Sequence, residues 1–347
     1  MRARGGWGKK DRMTTAISGS ATPLADTLRL ALQDDDTTAL DALTDAVPDG
    51  SRDRFTTLLT LYSLHTAPLD SLGTSARHQH RPALAALKGR CEADWLDELA
   101  ALPLDDGEHD VATTPGLVSA MRALAARDRL PAVYRWLASA ADWPNVVRFL
   151  ALEGGPDAGF DDLVAACQIG LTGPPKMELA VNYWDEMGNG EPAAVHTTLH
   201  DQLIDAIDMP RIPVTDQPVS ALARTALGGL LATNRWLQPE MLGALGLIEL
   251  QAGPRCRLVL NAFERCRAPE AAYPFYEVHA EVDPRHGRDW LEKAIVPTVA
   301  NQPDWGSRVF RGAVWRSAVN AAFLDDVSEM LGLTGAEDTR TGRTAAA

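Results

Sequence analysis

His279, Asp283 and His286, in the run HAEVDPRH, stand at i, i+4 and i+7. On a helix advancing about 100° per residue these positions fall near 0°, 40° and −20°, so their side chains share one face. Two imidazoles and a carboxylate are the nitrogen and oxygen donors that suit Fe(II), Mn(II) or Zn(II). A polar face turned to solvent would carry the same residue types. Against that, the stretch just upstream, AAYPFYEV, is apolar and aromatic, which predicts that the helix enters a core.

Two more segments carry donors. In NYWDEMGNGEPAAVHTTLH, Glu186 and His196 would sit about 80° apart on one unbroken helix. Gly188, Gly190 and Pro192 stand between them, and glycine permits a break that re-aims the second half-helix toward the same point. Otherwise Glu186 is a terminal charge and His196 a cap or core residue, although a carboxylate at a helix C-terminus is electrostatically unfavourable. His200, one turn later, reads as a surface histidine, with a supporting role beside His196 as the alternative. In MLGALGLIELQAGP, Glu249 closes an apolar helix before Gly253 and Pro254. A buried carboxylate must be matched by a cation or a donor, and Arg255 and Arg257 are the nearby structural candidates. Glu186, His196, Glu249, His279, Asp283 and His286 together give three anionic and three neutral ligands. That is the donor set of a carboxylate-bridged pair of divalent ions in a helical bundle, whereas one ion would leave donors unused.

The elements that must position these residues are helical. Ala, Leu, Glu, Arg and Asp recur at three- and four-residue spacing in PLADTLRLALQ, DRFTTLLTLYSLH, EADWLDELAAL, GLVSAMRALAARDRLPAVYRWLASAAD and VSALARTALGGLLATNRWL. Strand patterns are nearly absent, so the chain is expected to be all-α. Small polar residues at 1–20 and 334–347 predict frayed tails. Residues 21–130 read as an N-terminal region of short helices with a loop near Leu102–Gly107, and residues 131–333 as the domain carrying the donors. His78 and His80 are expected in a surface loop. No repeat of fixed period is present.

Composition narrows the function further. The 347 residues are 46% hydrophobic, enough for a packed core, and 47 acidic against 33 basic side chains give a net charge of −14. Such a surface repels phosphate backbones and anionic lipids, so neither nucleic acid nor membrane is an expected partner. No apolar run approaches the roughly 20 residues that span a bilayer, and no apolar segment of a secretory signal follows the basic N-terminus. Cys91, Cys167, Cys256 and Cys266 form no CxxC pair and read as free thiols of a reducing cytoplasm.

With these residues in place the sequence resembles the haem-oxygenase-like diiron oxidases, the iron-containing redox enzymes. In that family one core helix carries Glu and His, the next a Glu, and a later helix H-x3-D-x2-H. Here these fall on Glu186 and His196, on Glu249, and on His279, Asp283 and His286. ELAVNYWDEMGNG, GLIEL and FYEVHAEVDPRH are similar to family signatures, and the likeness covers roughly residues 131–330. It implies a haem-oxygenase-like helical bundle without haem. Two Fe(II), or Mn/Fe, would activate O2 to N-oxygenate an amine or to cleave a C–C bond of an amino or fatty acid. An external electron donor and a homodimer are compatible with it. It also implies a further carboxylate on the first core helix, for which Glu153 is the candidate, with Asp157, Asp161, Asp162 and Glu178 as competitors.

Three further expectations complete the reading. Pro284 removes a backbone donor and disfavours α geometry at Asp283, which predicts a kinked or partly unwound ligand segment ordered by metal. Phe149, Phe160, Trp184, Leu245 and Phe275 are candidate walls of the site, or plain core. Two other functional classes stand beside the oxidase: a metal-free or zinc-bearing scaffold that binds a partner, and a haem oxygenase or haem carrier.

Overall fold

The computed structural model describes residues 22–104, 109–154 and 159–333. The tails expected at 1–20 and 334–347, part of the expected 102–107 loop, and Asp157 lie outside the described residues. Every regular element among those described is helical. The first part of the chain forms α1 (Leu24–Gln33), α2 (Thr37–Ala42), α3 (Gly50–Thr66), α4 (Leu69–Leu72), α5 (Pro82–Ala100) and α6 (Thr114–Arg127). There follow α7 (Ala132–Ser139), α8 (Trp143–Glu153), α9 (Phe160–Cys167), α10 (Gly173–Glu186), α11 (His196–Ala206) and α12 (Val219–Thr233). The chain ends with α13 (Gln238–Cys266), α14 (Tyr273–Asp289), α15 (Val296–Asn301) and α16 (Gly306–Met330).

Local chemistry sets the boundaries. Asp36, Thr113 and Asp142 accept backbone N–H groups from the first turns of α2, α6 and α8, which satisfies donors the helix itself leaves open. Asp53, on α3, does the same for α1 from a distance, taking the N–H groups of Leu24 and Ala25 at 3.0 and 2.9 Å. The long stripe GLVSAMRALAARDRLPAVYRWLASAAD is two helices, α6 and α7, because Pro131 stands between them.

The buried stripes meet in two apolar clusters. One joins side chains of α1, α3, α5 and α6 to those of α12, α16 and the first half of α13; the other lies between α7, α8, α11, α14 and the second half of α13. Helices before residue 131 and after it therefore share one core, and the Trp315 indole donates to the Leu99 carbonyl across that seam at 3.1 Å. Helix α13 runs through the middle, packed on α14 and α16.

Helix α14 corrects the expectation at Pro284. It is continuous from Tyr273 to Asp289, and the irregularity comes after it, as a π-helical stretch at Trp290–Ile295. The proline ring is held against α13: a Cβ built on Gly253 would lie 2.8 Å from Pro284 Cδ. One turn on, a Cβ on Gly287 would lie 2.7 Å from the Glu249 carbonyl oxygen. These two glycines allow α14 to lie close on α13, and that packing replaces what the missing N–H would have contributed. Among the described residues no helix is long and apolar enough to cross a membrane. Cys91, Cys167 and Cys256 are buried, Cys266 is partly buried, and none of the four is in a disulfide. His78 is not on the surface as expected: it is buried and bonded through Nε2 to Asp35 at 2.7 Å.

Candidate metal centre

Helix α10 ends at Glu186, and the chain turns through Gly188, Asn189 and Gly190, all at positive φ, before α11 starts at His196. This reversal brings His196 Nδ1 to 2.9 Å from Glu186 Oε2. His279 reaches the same point from α14, its Nε2 lying 3.0 Å from His196 Nδ1. The other ring nitrogen of His279, Nδ1, bonds the Phe275 carbonyl. A carbonyl only accepts, so Nδ1 carries the proton and Nε2 presents its lone pair.

The second half of the site uses the same logic. Asp185 Oδ2 lies 2.9 Å from His286 Nε2, which places the ring proton there and leaves Nδ1 as the lone-pair nitrogen. That atom is buried and has no hydrogen-bond partner; it lies 3.7 Å from Glu249 Oε2 and 4.0 Å from Glu186 Oε1. Asn182, one turn before Glu186 on α10, donates to Glu249 Oε1 at 2.8 Å, leaving Oε2 toward His286. Asp283 is buried beside them, its Oδ2 also without a partner.

Two groups of potential ligand atoms therefore form, each within 4.8 Å: Glu186, His196 and His279, and Glu186, Glu249 and His286. Glu186 belongs to both. Asp283 and four of these side chains (all but Glu249) line a cavity of about 220 Å³ with Leu199, Val278 and Val282, and Arg285 stands at its rim, paired with Asp185 at 2.5 Å.

Charge in this site is held at a cost. Burial, then the Glu186 charge, pushes Glu249 up to about 8. Burial, then Glu249 and Glu186, raises Asp283 well above the ordinary carboxylate range. Burial and the neighbouring His196 push His279 down to about 4. Glu186 goes the other way: burial would raise it, but the bond and charge of His196 and the nearby His279 and His286 hold it below its usual value. Without a cation the pocket thus holds an ionised Glu186 beside two carboxyls that resist ionisation and a His279 ring that resists protonation. Lone pairs aimed inward and acids that ionise only when a cation arrives fit a metal site, and a divalent ion would displace those protons.

Several expected residues stand elsewhere. Glu153 is in neither group; its carboxylate accepts the Tyr134 hydroxyl in the adjoining core. Of its competitors, Asp162 is exposed and Glu178 pairs with Lys293 at 3.7 Å. Asp161 is buried, its Oδ1 without a partner; burial and Asp162 raise its carboxyl, and His196 is close enough to lower it. Arg255 does not answer Glu249: it donates to Gln251 and to the Asp128 carbonyl. His200 is buried, not exposed, with its ring 5.2 Å from Phe275. Of the expected walls only Phe275 touches the donors, at 5.1 Å from His196 and 4.5 Å from His279 between ring centres. Phe149, Phe160 and Leu245 are core, and Trp184 is 53% exposed, packed against Gly190 on the outer face of α10. Asp185 and Asn182 were given no role by the sequence. The i, i+4 spacing of Asn182 and Glu186 was the one available signal.

Residues 147–321 match the sequence model of a family described as iron-containing redox enzymes. That span contains all six expected donors, Asp161, Asp185 and Asn182. No curated protein matches the chain.

Proposed function

The chain belongs to the iron-containing redox enzyme family and is an iron-dependent oxidoreductase, and from that premise we propose that it holds two Fe(II) in this site and uses them to activate O2. The observation that carries the proposal is Glu186, whose two oxygens face different histidines: Oε2 lies 2.9 Å from His196 and Oε1 4.0 Å from His286. One position takes Glu186, His196 and His279; the other takes Glu186, Glu249 and His286, with Asp283 beside them. Asp161 is the seventh ligand, a fourth carboxylate, in place of Glu153. The same donors accept Mn in one position.

Bound iron supplies the electrons that reduce O2. The protein's own groups prepare for that. Asp185 keeps the His286 proton on Nε2, and the Phe275 carbonyl keeps the His279 proton on Nδ1, so that each ring turns its other nitrogen into the site. Asn182 fixes one oxygen of Glu249 and frees the other. Phe275, Leu199, Val278 and Val282 limit water around the donors, and the cavity between α11 and α14 admits a small molecule. The substrate is an amine that is N-oxygenated, or an amino or fatty acid cleaved at a C–C bond, and the enzyme works in the cytoplasm.

Anaerobic Fe(II) titration with metal analysis, followed by rapid mixing with O2, tests this reading. Two irons per chain and a transient visible absorption are expected. Saturation at one iron would remove the dinuclear site, and two irons inert to O2 would remove the oxidase.

A further inference from the structure

The donors are connected to the protein surface by aromatic rings. Phe275 stands against His279 and His196 at 4.5 and 5.1 Å between ring centres. Tyr276 follows at 5.2 Å from Phe275, and Phe263 at 5.4 Å from Tyr276. From Phe263 the path divides, to Tyr273 at 5.5 Å and to Trp143 at 5.9 Å. The first three rings are buried, whereas Tyr273 and Trp143 are partly exposed. Each contact after His279 is edge-to-face, the ordinary geometry of aromatic packing, so packing alone explains any single pair. It does not explain why the series begins at two candidate ligands and ends at the two ring types that are most easily oxidised.

We propose that this series is an electron path that protects the site when O2 reacts without substrate; it rests on the O2-activating reading above. The O2-derived oxidant at the metal site gains one electron. Tyr273 loses that electron and releases its phenolic proton to the solvent its ring partly faces. Tyr276 is the one inner ring that relays the electron and ends unchanged, the two phenylalanines serving only as the packed medium on either side of it, and Trp143 is the alternative outer donor. A small reductant that gives up a hydrogen atom, such as ascorbate or a thiol, restores Tyr273. The hole thus leaves from the surface and does not oxidise His279 or His196.

The test uses the full chain loaded with Fe(II), mixed with O2 without substrate and freeze-quenched for electron paramagnetic resonance, with peptide mass spectrometry of the aged sample. An organic ring radical is expected, with hydroxylation concentrated at Tyr273 and Trp143. Tyr276→Phe keeps the ring and its packing. It should bind as much iron, lose most of the radical signal and move oxidation onto the site histidines. Tyr273→Phe combined with Trp143→Phe should do the same. O2 consumption with no ring radical, or a radical yield unchanged in Tyr276→Phe, overturns the path and leaves the oxidase standing. Iron-loaded protein that does not consume O2 overturns both.

Discussion

Asp185 accepts the Nε2 proton of His286 at 2.9 Å, and this one bond decides that the opposite ring nitrogen faces Glu249. Burial alone would raise the Asp185 carboxyl, but bonds from His286 and Arg285 outweigh it and keep the group ionised. Replacing Asp185 with alanine should weaken Fe(II) binding about 10- to 100-fold, the usual effect of losing a carboxylate behind a ligating histidine. Asp185→Asn, which can still accept from Nε2, should lose less. Competition against a fluorescent chelator measures both; equal affinities in wild type and Asp185→Ala would show that His286 needs no such partner.

The pH dependence of metal-free stability follows from two opposed groups. Glu249 is raised from 4.5 to about 8 on folding, so its contribution is complete below pH 4.5 and is lost as pH rises through 8. Asp283, raised as well, adds to that alkaline loss. His279 is lowered from 6.5 to about 4, so its contribution is complete above 6.5 and is lost as pH falls through 4. Between 4.5 and 6.5 the two slopes oppose each other. With Asp283 on the acid side, thermal melts of chelator-treated protein should therefore fall gently there and more steeply from pH 6.5 to 8. Saturating Mn(II) or Fe(II) should reverse the alkaline fall, because the ion binds the ionised acids. An alkaline limb unaffected by metal would count against Glu249 and Asp283 facing the ion.

The close approach of α13 and α14 gives a mechanical test. Gly287→Ala places a methyl group 2.7 Å from the Glu249 carbonyl oxygen, against backbone that cannot turn aside. A loss of about 1–3 kcal/mol is expected for overpacking at such a contact, together with impaired iron binding, since Glu249 and His286 would be forced apart. Gly89→Ala on α5, where a Cβ meets nothing within 4 Å, is the control and should be neutral or slightly stabilising. Denaturant melts and iron titration of both variants make the comparison.

Asp161 and Glu153 separate just as cleanly. Asp161→Asn should lower iron affinity or the rate of reaction with O2. Glu153→Gln should leave the iron content intact and show its cost in the melting temperature, through its bond with Tyr134. The reverse pattern would move the fourth carboxylate to α8.

The helical class was legible, and five of the six expected donors (all but Asp283) fall in the two clusters, because such donors are rare residue types at fixed helical intervals. Glu186 and His196 were readable through the glycines between them, since the break those residues permit is the only way the two meet. Asp185 and Asn182 were not legible: aspartate and asparagine are common on exposed faces, and their role depends on which edge of a partner ring turns toward them. His200 and His78 look like surface residues in the sequence because burial is decided by other helices, through Phe275 and Asp35. Trp184 failed for the same reason in reverse, its ring lying outside the bundle. Pro284 was read as a local defect, while its effect is set by Gly253 on a helix thirty positions earlier in the chain.

The chain between α10 and α11 has a consequence for how this protein can vary. Residues 187–195 act as a fixed-length spacer whose left-handed steps at Gly188, Asn189 and Gly190 set the distance between Glu186 and His196. One residue added there would leave both flanking helices intact yet pull one donor out of reach of the other. A chain altered only at that loop would fold and melt like its parent while carrying an incomplete iron site.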